Sequence, residues 1–178
     1  MTLPKIFTLS RTARLYGALY LASVLTLVGC AVGNQVPVTA EIVDYGIERR
    51  HDERIIPDPN AASGRIRLVK NFQFIERTTE IPAVLGTAFS MCVEVRGLRR
   101  SEWGELRLEV THPDMTSPDG KTWSTQSGNA RPGQGTGESA LTCVGYGLDQ
   151  PFEVVAGHWT LSVKYAGKTL SSKQFTLR

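Results

Sequence analysis

Gly157-His158-Trp159-Thr160-Leu161-Ser162-Val163-Lys164-Tyr165 is the stretch whose reading decides the fold. Trp159, Leu161, Val163 and Tyr165 alternate with His158, Thr160, Ser162 and Lys164. A period of two with one apolar face describes a strand with a core on one side and water on the other. The same pattern recurs upstream. Leu106, Leu108 and Val110 alternate with Glu105, Arg107, Glu109 and Thr111, and Phe89, Met91, Val93 and Val95 with Ser90, Cys92 and Glu94. Ile66, Leu68, Phe72 and Phe74 form another apolar row, broken at Lys70. No amphipathic helical run of ten or more residues is present to carry parallel crossovers, so the strands are expected to be mostly antiparallel. Turns fall between them at Pro57-Asp58-Pro59-Asn60, Pro118-Asp119-Gly120 and Ala166-Gly167-Lys168. Leu170 is out of phase with Phe175 and Leu177, which predicts a bulge near Ser171-Ser172. About seven to nine such strands make an all-β, antiparallel, immunoglobulin-like β-sandwich the expected fold.

The start of the chain reads differently. Lys5, Arg11 and Arg14 stand in an acid-free opening, followed by an apolar run from Leu15 to Leu27-Val28-Gly29-Cys30. This is the layout of an export signal. Its end resembles the lipobox of bacterial lipoproteins, which implies diacylation of the Cys30 thiol, cleavage just before it and acylation of the new N-terminus. Two or three acyl chains hold a protein to a membrane almost permanently, since each buried methylene contributes about 0.8 kcal/mol. A spanning helix needs about 20 apolar residues, whereas this run is shorter and interrupted by Tyr16, Gly17, Tyr20, Ser23 and Thr26. A soluble product cut near Gly29-Cys30-Ala31 is the other reading set aside. Ala31 occupies the place where an aspartate signals inner-membrane retention, so the outer membrane, facing the periplasm, is favoured over the inner. The expected organisation is a signal peptide over 1–29, a lipidated cysteine and tether over 30–37, and a sandwich over 38–178.

Removing the signal takes all the excess charge with it. The chain has 20 Lys plus Arg, and losing Lys5, Arg11 and Arg14 leaves 17, against 17 Asp plus Glu. The sequence pI of 8.9 is therefore no argument for nucleic-acid binding, and no nucleic-acid partner is expected. The mixed cluster Glu48-Arg49-Arg50-His51-Asp52-Glu53-Arg54 reads as a solvated loop or strand end.

With Cys30 assigned to lipid, Cys92 and Cys143 remain, an even pair in a compartment where disulfides persist. They are expected to be bonded, with Cα atoms about 4.4 to 6.8 Å apart. The spacing of Cys92, Trp103 and Cys143 follows an immunoglobulin core in outline. Yet alternation places Cys92 on the face away from the core, and Leu141, not tyrosine, stands two residues before Cys143. The bridge is thus expected to join neighbouring strands, or an edge and a loop, and not to pin one sheet to the other.

The C-terminal half carries Thr111-His112-Pro113, Pro118-Asp119-Gly120-Lys121, Ala156-Gly157-His158-Trp159-Thr160-Leu161, Gly167-Lys168 and Lys173-Gln174-Phe175. Together they resemble a bacterial exported domain of unknown function. Ile42-Val43-Asp44-Tyr45-Gly46-Ile47 and Ile81-Pro82-Ala83-Val84-Leu85-Gly86-Thr87 resemble its N-terminal half. The resemblance covers most of residues 42 to 177. It implies an immunoglobulin-like sandwich closed by a glycine-x-tryptophan strand and a final lysine-x-phenylalanine strand, and implies no activity.

Chemistry is sparse. His51, His112 and His158 fall in separate segments, and no Gly-x-Ser-x-Gly, His-Glu-x-x-His or Cys-x-x-Cys spacing occurs. The glycine-rich run from Gly128 to Gly137 lacks the ending of a phosphate loop and precedes a strand, so it reads as a loop. No enzyme, no cofactor and no metal set is expected. His112 and Met115, an imidazole and a thioether three residues apart at a strand end, are the weak candidates for copper. Trp103, Trp123 and Trp159 are the candidates for a carbohydrate-stacking platform, with Trp159 assigned to the core by its alternation. The expected function is a non-catalytic interaction or structural module, held on the membrane by its lipid and meeting an envelope protein. The alternative is a carrier of a small ligand, copper or carbohydrate.

Overall fold

The structure is a computed structural model, and it describes residues 36–130 and 139–178. Among the described residues nine strands form two sheets. In chain order they are β1 (Thr39–Pro57), β2 (Arg65–Glu76), β3 (Glu80–Ile81), β4 (Ala88–Arg96), β5 (Arg107–Thr116), β6 (Thr122–Asn129), β7 (Ser139–Gly147), β8 (Gly157–Tyr165) and β9 (Lys168–Leu177). One sheet has the order β2-β1-β4-β7 and the other β3-β9-β8-β5-β6. Every ladder is antiparallel except the two-residue pairing of β3 with β9. Two short 3-10 turns, Arg100–Glu105 and Pro151–Glu153, are the only helical segments among the described residues.

The core lies between the sheets, where the alternation placed it. Phe89, Met91, Val93 and Val95 of β4 face Trp159, Leu161 and Val163 of β8 and Phe175 and Leu177 of β9, all with exposures of 1% or less. The rings interlock edge to face: Phe89 meets Trp159 at 5.8 Å, and Tyr146 meets Trp159 at 4.9 Å between centroids. Offset and edge-on pairs of this kind add to the burial of the rings themselves. All the core residues, both sheets and the disulfide fall within 36–178, so this unit carries its own core.

The disulfide joins Cys92 to Cys143 across the β4–β7 ladder, where the two residues are register partners. It ties neighbouring strands of one sheet, as the alternation required. The Cα atoms are 4.0 Å apart, closer than the expected 4.4 to 6.8 Å. Facing residues of adjacent antiparallel strands already approach to about 4.5 Å, so a bridge between them is shorter than one thrown between sheets.

The final hairpin also departs in detail. The ladder from β8 to β9 shifts between Val163, which faces Ser171, and Lys164, which faces Thr169. The extra residue is therefore Leu170, one position before the expected site. Its turn, Ala166-Gly167, has φ of 47° and 76°, the positive values of a two-residue hairpin loop that asparagine-glycine satisfies best.

The larger difference concerns β2. Ile66, Leu68, Phe72 and Phe74 are half-buried, and none belongs to the core cluster. The reason lies in β1, which serves two ladders in series. Thr39 to Ile47 pair with β4, and Ile47 to Pro57 pair with β2, with a register shift between Ile47 and Glu48. The β1–β2 hairpin thus runs on past the end of β4 and carries its apolar row off the sandwich.

Trp159→Ala should cost about 3 to 5 kcal/mol through lost transfer energy and a cavity, read as a lower denaturant midpoint of residues 31–178. A near wild-type midpoint would place the indole outside the core. Ala166→Asn should stabilise the domain by about 0.5 to 1 kcal/mol, read as a higher midpoint, because asparagine tolerates the left-handed conformation better than alanine. An unchanged or lower midpoint would count against the strained turn.

Candidate functional site

Arg49, His51, Glu53 and Arg54 of the charged cluster of β1 are exposed, as its composition suggested, but Glu48 and Arg50 are drawn inward. Glu48 is 8% exposed. Its Oε1 accepts from Arg50 Nε at 2.6 Å, and its Oε2 accepts from the Ser90 hydroxyl of β4. The Arg50 guanidinium lies against Gly147, where a Cβ would push it aside. The Glu48 and Arg50 side chains both sit at the hairpin root, directly beyond the last β1–β4 pair, Ile47 with Phe89.

A second ionic contact fastens β2. Arg67 pairs with Glu53 of β1 and, through Nη2, with Asp149 Oδ2 at 2.9 Å. Burial alone would lower the Arg67 pKa, but the hydrogen bonds and charges of Glu53 and Asp149 outweigh it and raise it. Asp149 is placed by Glu153, whose Oε2 accepts the backbone N–H groups of Asp149 at 2.8 Å and Gln150 at 2.7 Å. The other Glu153 oxygen accepts from the Tyr146 hydroxyl at 3.1 Å. Burial pushes the Glu153 carboxyl up, against the pull of these donors, and burial beside Glu153 pushes the Tyr146 phenol well up.

These contacts floor a cleft of about 540 Å³ between the hairpin and residues 82–88. Glu48, Arg50, Arg67 and Asp149 supply its polar groups, and Ile75, Pro82 and Leu85 its apolar wall. Ile75 and Leu85 are 50% and 54% exposed. Beyond the cleft, β2 is a 12-residue edge strand with no partner on its outer side among the described residues. The arrangement has apolar contact area, a free strand edge and paired charges. It has no activated nucleophile.

The candidates drawn from the sequence lie elsewhere. Cys30 falls outside the described residues. His112 and Met115 sit on β5 and are 5% and 1% exposed, packed into the core and not at an open strand end. The His112 ring lies over Trp159 at 4.8 Å. Its Nδ1 is 2.8 Å from the Pro113 carbonyl and must donate there, which leaves the lone pair on Nε2, a buried atom with no hydrogen-bond partner. Among the described residues no group of three or more His, Cys, Asp or Glu could hold a metal ion. The tryptophans form no platform either. Trp103 and Trp159 are buried, and Trp123 is half-buried with its Nε1 donating to Ser117 Oγ at 3.2 Å.

Residues 36–177 match the family described as Domain of unknown function (DUF3859). The chain belongs to this family. Comparison with curated proteins finds no match. Among solved structures the DUF3859 chain is similar to an immunoglobulin-like protein from Pseudomonas aeruginosa, at 26% identity and a TM-score of 0.59, covering 82% of this chain and 100% of that one. Family and neighbour agree with the sandwich read from the strand alternation, and neither names a ligand.

Burial holds the His112 pKa below the ordinary imidazole value, with the Pro113 carbonyl and Asp114 pulling weakly the other way. The unfolded chain, with a pKa near 6.5, therefore takes up a proton first as pH falls. Stability that the neutral ring supplies above about pH 6.5 is lost below it, by at most about 1.4 kcal/mol per pH unit. His112→Gln removes this term, so the gap between wild-type and variant midpoints in chemical denaturation should narrow from pH 7.5 to pH 5.5. A gap that stays constant would mean that the imidazole titrates alike in both states.

Proposed function

We propose that this protein is a membrane-anchored lipoprotein of the bacterial envelope, acting without catalysis as a module that engages another envelope protein through its β1–β2 hairpin. The observation that carries the reading is the apolar row Ile66, Leu68, Phe72 and Phe74, which sits on an edge strand and contributes nothing to the core. An edge strand of this length exposes unpaired backbone donors and acceptors, and natural proteins cover or blunt such edges. Charged residues at Arg65, Arg67 and Lys70 blunt it in part. A partner that adds a strand to β2 would gain main-chain hydrogen bonds from the edge and side-chain contacts from the cleft rim at Ile75 and Leu85. The lipid anchor is supported by the Leu27-Val28-Gly29-Cys30 sequence behind its apolar run. Ala31 supports the outer membrane, facing the periplasm.

Two measurements test the two halves separately. Cells fed an alkyne fatty acid should label the wild-type protein and not Cys30→Ser, which should remain unprocessed or be released; equal labelling would remove the anchor. A photo-crosslinking residue placed at Gln73 in intact cells should capture one envelope protein, and Phe72→Ser with Phe74→Ser should abolish the adduct. Capture that survives the double substitution would move the contact off the hairpin.

A further inference from the structure

The opposite end of β1 carries a second cleft, of about 780 Å³, at the place where the chain enters the domain. Val36 and Pro37 form part of its wall and Leu98 and Leu170 line it, with Arg99, Arg100 and Lys168 around them. Gly97 fixes the entry. Its φ of 76° and a Pro37 carbonyl 2.7 Å from where a Cβ would stand leave room for glycine alone. The bulge at Leu170 is what brings that side chain out of phase with β9 and into this cleft.

The charges here are unequal. Arg99 is hydrogen-bonded through Nε to Glu102 at 2.9 Å, and Glu102 is the one carboxylate among the lining residues. Arg100 and Lys168 are exposed. Tyr165 adds an amphipathic ring, with Glu102 and Glu105 nearby raising its pKa after burial has done so. Val36, 68% exposed, continues the apolar lining outward.

Val36 lies six positions after Cys30, and a fully extended chain covers at most about 3.6 Å per residue. Val36 can therefore stand no more than about 22 Å from an acylated Cys30. We propose that this cleft is the membrane-facing site of the domain, and that it takes the headgroup and upper acyl region of an anionic phospholipid in the bilayer that holds the anchor. Arg100 and Lys168 meet the phosphate, and Val36, Leu98 and Leu170 meet the glycerol and first methylenes. The inference rests on the lipid-anchored reading of Cys30, because the short reach brings this end of the molecule to the surface.

The test leaves the anchor out, so that its failure is separate from failure of acylation. Residues 31–178, without lipid, are sedimented with vesicles of phosphatidylcholine alone or with 30% phosphatidylglycerol, a probe composition whose anionic share is set at roughly a third to give a clear surface potential. The wild-type domain should bind the anionic vesicles and not the neutral ones. Each cation near such a surface strengthens binding about fivefold, so Arg100→Ala with Lys168→Ala should weaken it by about 25-fold. Both side chains are exposed, and an unchanged denaturation midpoint will show that the fold is intact. Arg65→Ala with Lys70→Ala removes the same charge at the hairpin and should leave binding within about twofold of wild type. Free phosphate at millimolar level should not compete, which separates a bilayer site from an anion site. The proposal is overturned if the wild-type domain ignores anionic vesicles, if the two double variants weaken binding equally, or if phosphate displaces the vesicles.

Discussion

The burial of Trp159 is the constraint on which the remaining structure depends. Its ring is wholly enclosed between the sheets, in contact with Phe89 of β4, Tyr146 of β7 and His112 of β5. Its Nε1 donates to the Val155 carbonyl at 3.1 Å, which closes the segment between β7 and β8 onto the core. A buried indole must place its N–H somewhere, and here the partner belongs to the segment that also carries Asp149 and Glu153. Tyr146, packed on the same indole, hydrogen-bonds Glu153 in turn. Thus one aromatic side chain fixes the sheet spacing and holds in place the backbone that presents Asp149 to the hairpin.

That linkage explains why a hairpin lying off the core still has a defined position. Two-stranded ribbons are marginal in water without a covered face. The β1–β2 hairpin obtains its cover from polar contacts at its root: Glu48 with Ser90, Arg50 above Gly147, and Arg67 with Asp149. Such contacts cost desolvation, and a buried ion pair is weak evidence of net stability. They are directional, however, and each joins the hairpin to a different point: on β4, at the end of β7, or on the segment after it.

Much of this was legible in residue order. The period-two rows of β4, β5 and β8 identified the core face, and the position of Cys92 on the other face identified a bridge within one sheet. What alternation cannot say is what covers an apolar face once it exists. The row in β2 has the same pattern as the row in β8, but β2 pairs with β1 only from Ile47 onward, past the end of the β1–β4 ladder. Within the cluster from Glu48 to Arg54, which is otherwise exposed among its described residues, Glu48 and Arg50 depart for a related reason. Its mixed charges look solvated in sequence, while burial of Glu48 and Arg50 requires Ser90 and Gly147, about 40 and 100 positions away and without any local signal. The depth of His112 and Met115 in the fold is likewise something that spacing does not encode.

The ionic root also answers a problem of register. A strand whose two faces are both half-exposed can slip by two residues at little cost, because no core penalises the change. In β2 such a slip along β1 would carry Arg67 away from both Glu53 and Asp149, leaving half-buried charges without partners. Removing one partner of a buried pair is far more costly than the pair is stabilising, commonly by about 3 to 5 kcal/mol. The hairpin is therefore held in one register by the penalty on every alternative, and the edge strand β2 keeps a fixed sequence of side chains along its open side. For a surface that must recognise an added strand, that fixity matters more than the stability of the ribbon itself.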